Sequence, residues 1–158
     1  MSKQTQSLFP FSVMGLLIGR TALLKDHILD RNLVPYSVTA AQFKVLIMIA
    51  HFGMDTPAEL CRQLSLDSGA MTRMLDRLEQ KNLIIRRRCA TDRRQVRLAL
   101  PAEGQALADR LPKIGADAMD ELLGVLAPEE LAMLEKLLKK ILFAAGDTIT
   151  MQRLGDPQ

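Results

Sequence analysis

Between Ser65 and Leu100 the chain reads SLDSGAMTRMLDRLEQKNLIIRRRCATDRRQVRLAL, and no other stretch constrains the fold as tightly. Residues 67–81 carry apolar positions at helical spacing, and two short runs with strand character flank a charged connector after Asn82. In Leu83–Arg88 the alternation turns Leu83 and Ile85 inward. In Val96–Leu100 it turns Val96, Leu98 and Leu100 inward and leaves Arg97 and Ala99 outside. The connector CATDRR is polar and long enough to protrude. A helix followed by a protruding hairpin is the order of a winged helix-turn-helix, which meets DNA in two adjacent grooves.

Charge supports that order. The whole chain carries a net +3, but from Arg62 to Arg97 there are ten basic and four acidic residues, a local balance of +6 against −3 elsewhere. A basic segment in a mildly acidic body points to a polyanion as partner, with an ordinary solvated surface as the plainer reading. The 158 residues suffice for one compact domain with helical extensions. Aromatics make up only 4%, so the core must be built from Leu, Ile, Val, Ala and Met.

The rest of the chain reads as helices. From about Pro10 to Asn32, Met14, Leu17, Leu24 and Ile28 recur at helical spacing, and the early part is apolar nearly all round. A second copy of the chain is the cover this predicts. LVPYSV is a connector, Thr39 caps AAQFKVLIMIAHF, and Gly53 stops it. Thr56, Pro57 and Glu59 form an N-terminal capping box for PAELCRQL. Asp67 caps the next helix, and Asn82 suits a left-handed stop. A helix from about Glu103 to Leu123 is expected, with Pro112 and Gly115 as points of disturbance. In the last helix, from Pro128, Leu131, Leu134, Leu138 and Ile141 form a seam suited to helix pairing. The fold class expected is mainly α with a small β-hairpin wing. Residues 1–34 and 102–147 would form a helical dimerisation region, 35–101 the winged helix-turn-helix, and 148–158 a flexible tail.

On a helical wheel, Met71, Met74, Leu75 and Leu78 share the packing face of the 67–81 helix. Gly69, Arg73, Asp76 and Gln80 lie opposite, flanked by Ser68, Thr72 and Arg77. Small residues at the helix start let it settle into a major groove, where free N–H groups favour phosphate. Arg73 would fork onto a guanine edge, and Ser68 or Thr72 would reach bases or phosphates. Asp76 on this face repels DNA unless paired, and Arg73 at i−3 is its expected partner. At the connector tip, Arg93 and Arg94 suit a minor groove, with Asp92 holding one guanidinium from behind. A merely solvated hairpin and amphipathic helix are the alternatives.

The segments VTAAQFKVL, TPAEL, SLDSGAMTRMLDRLEQKNLIIR and DRR resemble the MarR family of bacterial regulators over residues 39–100, and the flanking helices fit as well. The chain departs from the family pattern at Asn82 and Gln95, where glycine is usual. The resemblance implies a homodimer with interlocked first and last helices, reading a pseudo-palindromic site and releasing it on binding a small phenolic or anionic compound or an oxidant. It implies DNA contacts at Ser68, Gly69, Ala70, Thr72, Arg73 and Arg77, with Arg93 and Arg94 in the wing. It also implies a carboxylate site at Thr72, Arg77 and Arg86, although Arg86 suits a phosphate contact or a solvated strand position equally.

Other chemistry is weakly represented. His27 and His51 are too few and too separated for a zinc set, and His51 reads as structural. Cys61 and Cys89 make neither a disulfide framework nor a metal set, which suits a reducing cytoplasm. Cys89 follows three arginines that would lower its pKa, or is simply a surface thiol, and Cys61 reads as core. Leu8–Gly19 is shorter than the ~20 apolar residues of a membrane span, and a helical pattern continues from it rather than a cleavage site. Without a phosphate loop, nucleophile elbow or metal-ligand helix, no enzyme activity, metal or cofactor is expected. A helical interaction module gripping an acidic protein is the rival function.

Overall fold

The computed structural model describes residues 5–155 apart from Arg93, with side chains described from Val13 onward. Two compact units divide the chain at Met119 and Asp120.

The first unit opens with α1 (Thr5–Leu33), a 3-10 turn at Val34–Tyr36, and α2 (Ala40–Phe52). Among the described side chains of α1, from Val13 onward, those buried are at its C-terminal end: Ile28, Leu29 and Leu33. Polar ties fix its junction with α2. Asp30 Oδ1 accepts the Ala40 amide at 2.5 Å, and Lys44 Nζ lies 2.8 Å from Asp26 Oδ2. Upstream, Met14, Leu16, Leu17 and Ile18 are all more than half exposed. The expected capping of α2 is present: Thr39 Oγ1 accepts the Gln42 amide, and Gly53 closes the helix at φ +65°.

Next come α3 (Pro57–Leu64) and α4 (Ser68–Gln80), joined by a turn whose Ser65 has φ +52°. The packing face of α4 follows the wheel, with Met71, Leu75 and Leu78 buried and Met74 half-buried. Val45, Leu46, Ile49 and Leu60 complete this part of the core. Each large aliphatic side chain so enclosed contributes about 1.5–3 kcal/mol through removal from water.

α4 ends in a Schellman turn. Asn82, at φ +56°, donates to Glu79 O, and the Leu83 amide reaches Leu78 O at 2.9 Å. This turn corrects the strand expectation. Leu83 still belongs to the helix stop, so β1 begins at Ile85 (Ile85–Arg88), and the fully buried neighbour is Ile84 rather than Ile85. β2 (Val96–Ala99) pairs antiparallel with β1, setting Ile85 opposite Ala99 and Arg88 opposite Val96. Leu98 also donates to Asp55 O at 2.7 Å, fastening the hairpin to the loop before α3.

The single helix expected after Pro101 is two: α5 (Ala102–Ala108) and α6, which starts at Leu111 and ends at Leu123. Pro112 accounts for the break, because its ring would strike the Ala108 carbonyl and it has no amide to donate. At Gly104 the chain needs glycine, since a Cβ there would lie 2.1 Å from Leu83 O.

The second unit contains α7 (Pro128–Ala144) and α8 (Thr148–Leu154). On α7, Leu131, Leu138 and Ile141 of the expected seam are exposed, as are Met133, Leu137 and Leu142. The segment expected to be a flexible tail contains α8, capped by Asp147 Oδ1 on the Thr150 amide at 2.8 Å. Among the described residues no single helix is long and apolar enough to cross a membrane.

Candidate nucleic-acid interface

Two caps set the start of each helix in the α3–α4 pair. Thr56 Oγ1 accepts the Glu59 amide while Glu59 Oε2 accepts that of Thr56, as the TPAEL segment predicts. Asp67 Oδ1 takes the Ala70 amide at 2.8 Å. Ser68, Thr72, Arg73, Arg77 and Gln80 are exposed on α4, with Gly69 and Ala70 half-buried at its first turn. A Cβ on Gly69 would meet Asp67 Oδ1 at 3.2 Å and Arg73 Nη1 at 3.4 Å. The Arg73 guanidinium therefore folds back along the first turn, which brings its charge to the helix start beside the Asp67 cap. Thr72 Oγ1 donates to Ser68 O at 2.8 Å, so its hydroxyl has only lone pairs left for a partner.

The wing tip is a turn held by its own backbone. Asp92 Oδ1 accepts the Arg94 amide at 2.9 Å, and Asp92 O accepts that of Gln95 at 3.0 Å. Asp92 thus shapes the tip through a main-chain amide, and a brace from Asp92 onto the Arg93 guanidinium lies outside the described residues. An Asp two residues before a free amide forms such a turn readily. Arg94 is exposed beside it, and Arg93 lies outside the described residues. Among the described residues, the side chains of Arg73, Arg77 and Arg94 enter no hydrogen bond or ion pair.

Two other arginines are committed. Arg97 Nη1 sits 2.5 Å from Asp55 Oδ1, which binds β2 to the loop before α3 and raises the pKa of Arg97. Arg86 on β1 holds two carboxylates of α4: Nη2 is 2.7 Å from Asp76 Oδ1, and Nη1 is 2.5 Å from Glu79 Oε2. Partial burial works to lower the Arg86 pKa, but the bonds from Asp76 and then Glu79 outweigh it and leave the pKa raised. Asp76 is therefore paired, but with Arg86 and not with Arg73 as its spacing in sequence suggests. The reason is reach. Thr72, Asp76 and Glu79 form one stripe of α4, and hydrogen bonds tie β1 to that stripe.

The Cys89 thiol is pushed below its usual pKa chiefly by a bond with Thr91 Oγ1, 3.1 Å from the sulfur, and next by the Thr91 and Asp92 amides. Of the arginines, only Arg97 contributes, and it contributes least, so the three preceding residues were the wrong signal. His51 Nε2 lies 3.3 Å from Ala108 O, which gives it a structural contact, and His27 is exposed. Among the described residues no group of three or more His, Cys, Asp or Glu is placed to hold a metal ion.

The structure thus gathers Ser68, Gly69, Ala70, Thr72, Arg73 and Arg77 on one helix, with Arg86 beside Thr72. Arg94 stands apart on the wing. Sequence reasoning missed Glu79, Asp55 and Arg97 as members of the site. The available signal was that Asp76 and Glu79 stand at i and i+3, ahead of a cation on the next strand.

The MarR family model matches residues 38–96. The multiple antibiotic resistance protein MarR of Salmonella typhimurium is 43% identical over 142 residues, covering 89% of this chain and 99% of that protein. A mutant Escherichia coli MarR solved in complex with operator DNA superposes with a TM-score of 0.74 at 40% identity, covering 89% of this chain and 99% of that one. A MarR family protein of Mycobacterium tuberculosis solved with salicylic acid gives a TM-score of 0.68 at 26% identity, with 80% of this chain and 94% of that one covered. With α3, α4 and a two-stranded wing in the same order, the chain belongs to the MarR family of winged helix-turn-helix transcriptional regulators.

Proposed function

We propose that this protein is a homodimeric repressor that binds a pseudo-palindromic DNA operator through α4 and the wing, and that a small phenolic or anionic compound releases it. One observation carries the DNA reading: the first turn of α4 is built of small residues and faced by the uncommitted Arg73 and Arg77, with Arg94 exposed on the wing. The small residues allow close approach to a major groove, and the three arginines supply phosphate and base-edge contacts. Arg94 enters the neighbouring minor groove. The operator-bound E. coli relative supports this use of the fold.

The dimer reading rests on apolar area left open in each unit separately. Met14, Leu16, Leu17, Ile18, Leu23 and Leu24 on α1, and Leu131, Met133, Leu137, Leu138, Ile141 and Leu142 on α7, are exposed along their helices, and runs of exposed aliphatic side chains of this kind mark interaction surfaces. Residues 1–34 and 102–147 then serve dimerisation and 35–101 DNA binding. In such a dimer the two α4 helices read half-sites about one helical turn apart.

For the ligand, the Arg86 guanidinium lies against Thr72, 3.5 Å from its carbonyl, which gives a cation beside a hydroxyl-bearing residue suited to a phenolic carboxylate; Arg77, on the other flank of α4, offers a second cation there. The salicylic acid complex of the M. tuberculosis relative supports that chemistry. A regulator of this kind works beside the chromosome, in the cytoplasm.

A gel-shift assay with genomic fragments at rising salt tests the proposal. Retention of a discrete fragment, steeply weakened by salt and released by salicylate, is expected. No retained fragment at moderate salt would overturn the DNA reading in favour of an acidic protein partner. A monomer by sedimentation at micromolar concentration would overturn the dimer.

A further inference from the structure

The anion position beside Thr72 is already filled. Arg86 Nη2, the edge nearest Thr72, is 3.5 Å from Thr72 O and 2.7 Å from Asp76 Oδ1. The other edge is anchored more firmly. Glu79 Oε2 lies 2.5 Å from Nη1, and Glu79 Oε1 accepts the Arg86 backbone amide at 3.3 Å. A carboxylate held by Arg86 next to Thr72 needs the same donors that Asp76 now occupies. Asp76 and Glu79 thus play different parts, with one arm open to exchange and the other fixed.

We propose that an anionic effector exchanges with Asp76 on Arg86, and that the Asp76 carboxylate so released is the charge that drives DNA away. This rests on the ligand reading above and adds how the site is regulated. Asp76 stands on the outward face of α4 one turn from Arg73, and its side chain is 51% exposed. While Arg86 holds it, the guanidinium, shared with Glu79, offsets part of its charge on the face that meets phosphate. After exchange the effector takes that share, and Asp76 presents an unpaired negative charge to the DNA. No large movement of α4 or the wing is required, and effector and DNA become competitors by linkage.

The test measures salicylate affinity by calorimetry, and operator affinity by anisotropy with and without saturating salicylate, for wild type, Asp76→Asn and Glu79→Gln. Asp76→Asn is expected to bind salicylate about threefold more tightly, the size of a half-exposed ion pair. In that variant salicylate is expected to change operator affinity by a factor near one. Glu79→Gln retains the exchangeable arm, so salicylate is expected still to weaken its operator binding. If Asp76→Asn binds salicylate no more tightly than wild type, or is released from DNA as wild type is, the exchange is wrong while the ligand reading stands. Loss of release in Glu79→Gln but not in Asp76→Asn would also overturn it. Absence of salicylate binding to all three forms would remove the ligand reading and the exchange with it.

Discussion

Replacing Arg94 with alanine separates committed from uncommitted cations in a way the structure makes quantitative. Three exposed arginines near the interface, Arg73, Arg77 and Arg94, carry no internal partner among the described residues, whereas Arg97 is held by Asp55 and Arg86 by two carboxylates. Each arginine that neutralises a phosphate contributes about −0.9 to the slope of log affinity against log salt. A dimer offering three from each subunit would have a slope near −5 by the same count, roughly. Arg94→Ala removes one contact per subunit and should flatten the slope by about 1.8. Over a fourfold rise in salt, from about 50 to about 200 mM, the variant should therefore lose roughly tenfold less affinity than wild type. Arg97→Ala should leave the slope near its wild-type value, because that charge is already spent on Asp55. Fluorescence anisotropy with a labelled operator duplex at several salt concentrations measures all three proteins. An unchanged slope for Arg94→Ala, or equal flattening in both variants, would refute the assignment of Arg94 to the DNA contact and of Arg97 to the fold.

Three further outcomes follow from the same geometry. Gly104→Ala places a Cβ 2.1 Å from Leu83 O, so backbone at the base of the wing must move; overpacking of this kind costs about 1–3 kcal/mol, measurable by urea unfolding. Asp67→Ala removes the acceptor of the Ala70 amide and should destabilise the protein by about 0.5–2 kcal/mol, with a larger proportional loss in operator binding because the lost cap lies at the groove-facing end of α4. The lowered Cys89 pKa means that its thiolate forms at lower pH than an ordinary thiol, so alkylation of Cys89 should rise with pH through a midpoint below the ordinary reference value of about 8.5. Rates followed by peptide mass spectrometry check this, and a midpoint at or above the reference value would contradict it.

Much of the fold was legible because local chemistry and tertiary packing agree. Thr39, Thr56 and Asp67 cap the helices that follow them, and the wheel of α4 separated Met71, Leu75 and Leu78 from its outward face. Asn82 stops α4 with the positive φ expected of it. The errors came where one residue serves two neighbours at once. Leu83 is both the last contact of the Schellman turn and the apparent first residue of a strand, and periodicity alone assigned it to the strand. Pro112, expected as a point of disturbance, does end the preceding helix four residues upstream, splitting the expected 103–123 helix into α5 and α6.

The site divided along a similar line. Small residues and arginines on a helical face can be placed by counting along one element. The Arg86 clasp and the Arg97–Asp55 pair join elements 7 to 42 residues apart, so they depend on how the wing folds against α4 and the loop before α3. The same limit applies to Cys89, whose thiol responds to the Thr91 turn and only weakly to nearby charge in sequence.

Hydrogen exchange of the protein with and without an operator duplex, selected from genomic fragments, tests the central claim most directly. Slowed exchange on DNA binding is expected in two separated segments, the first turns of α4 (residues 68–77) and the wing tip (residues 89–95). Slowing confined to α7 and α8, or absent from both predicted segments while DNA is bound, would contradict it.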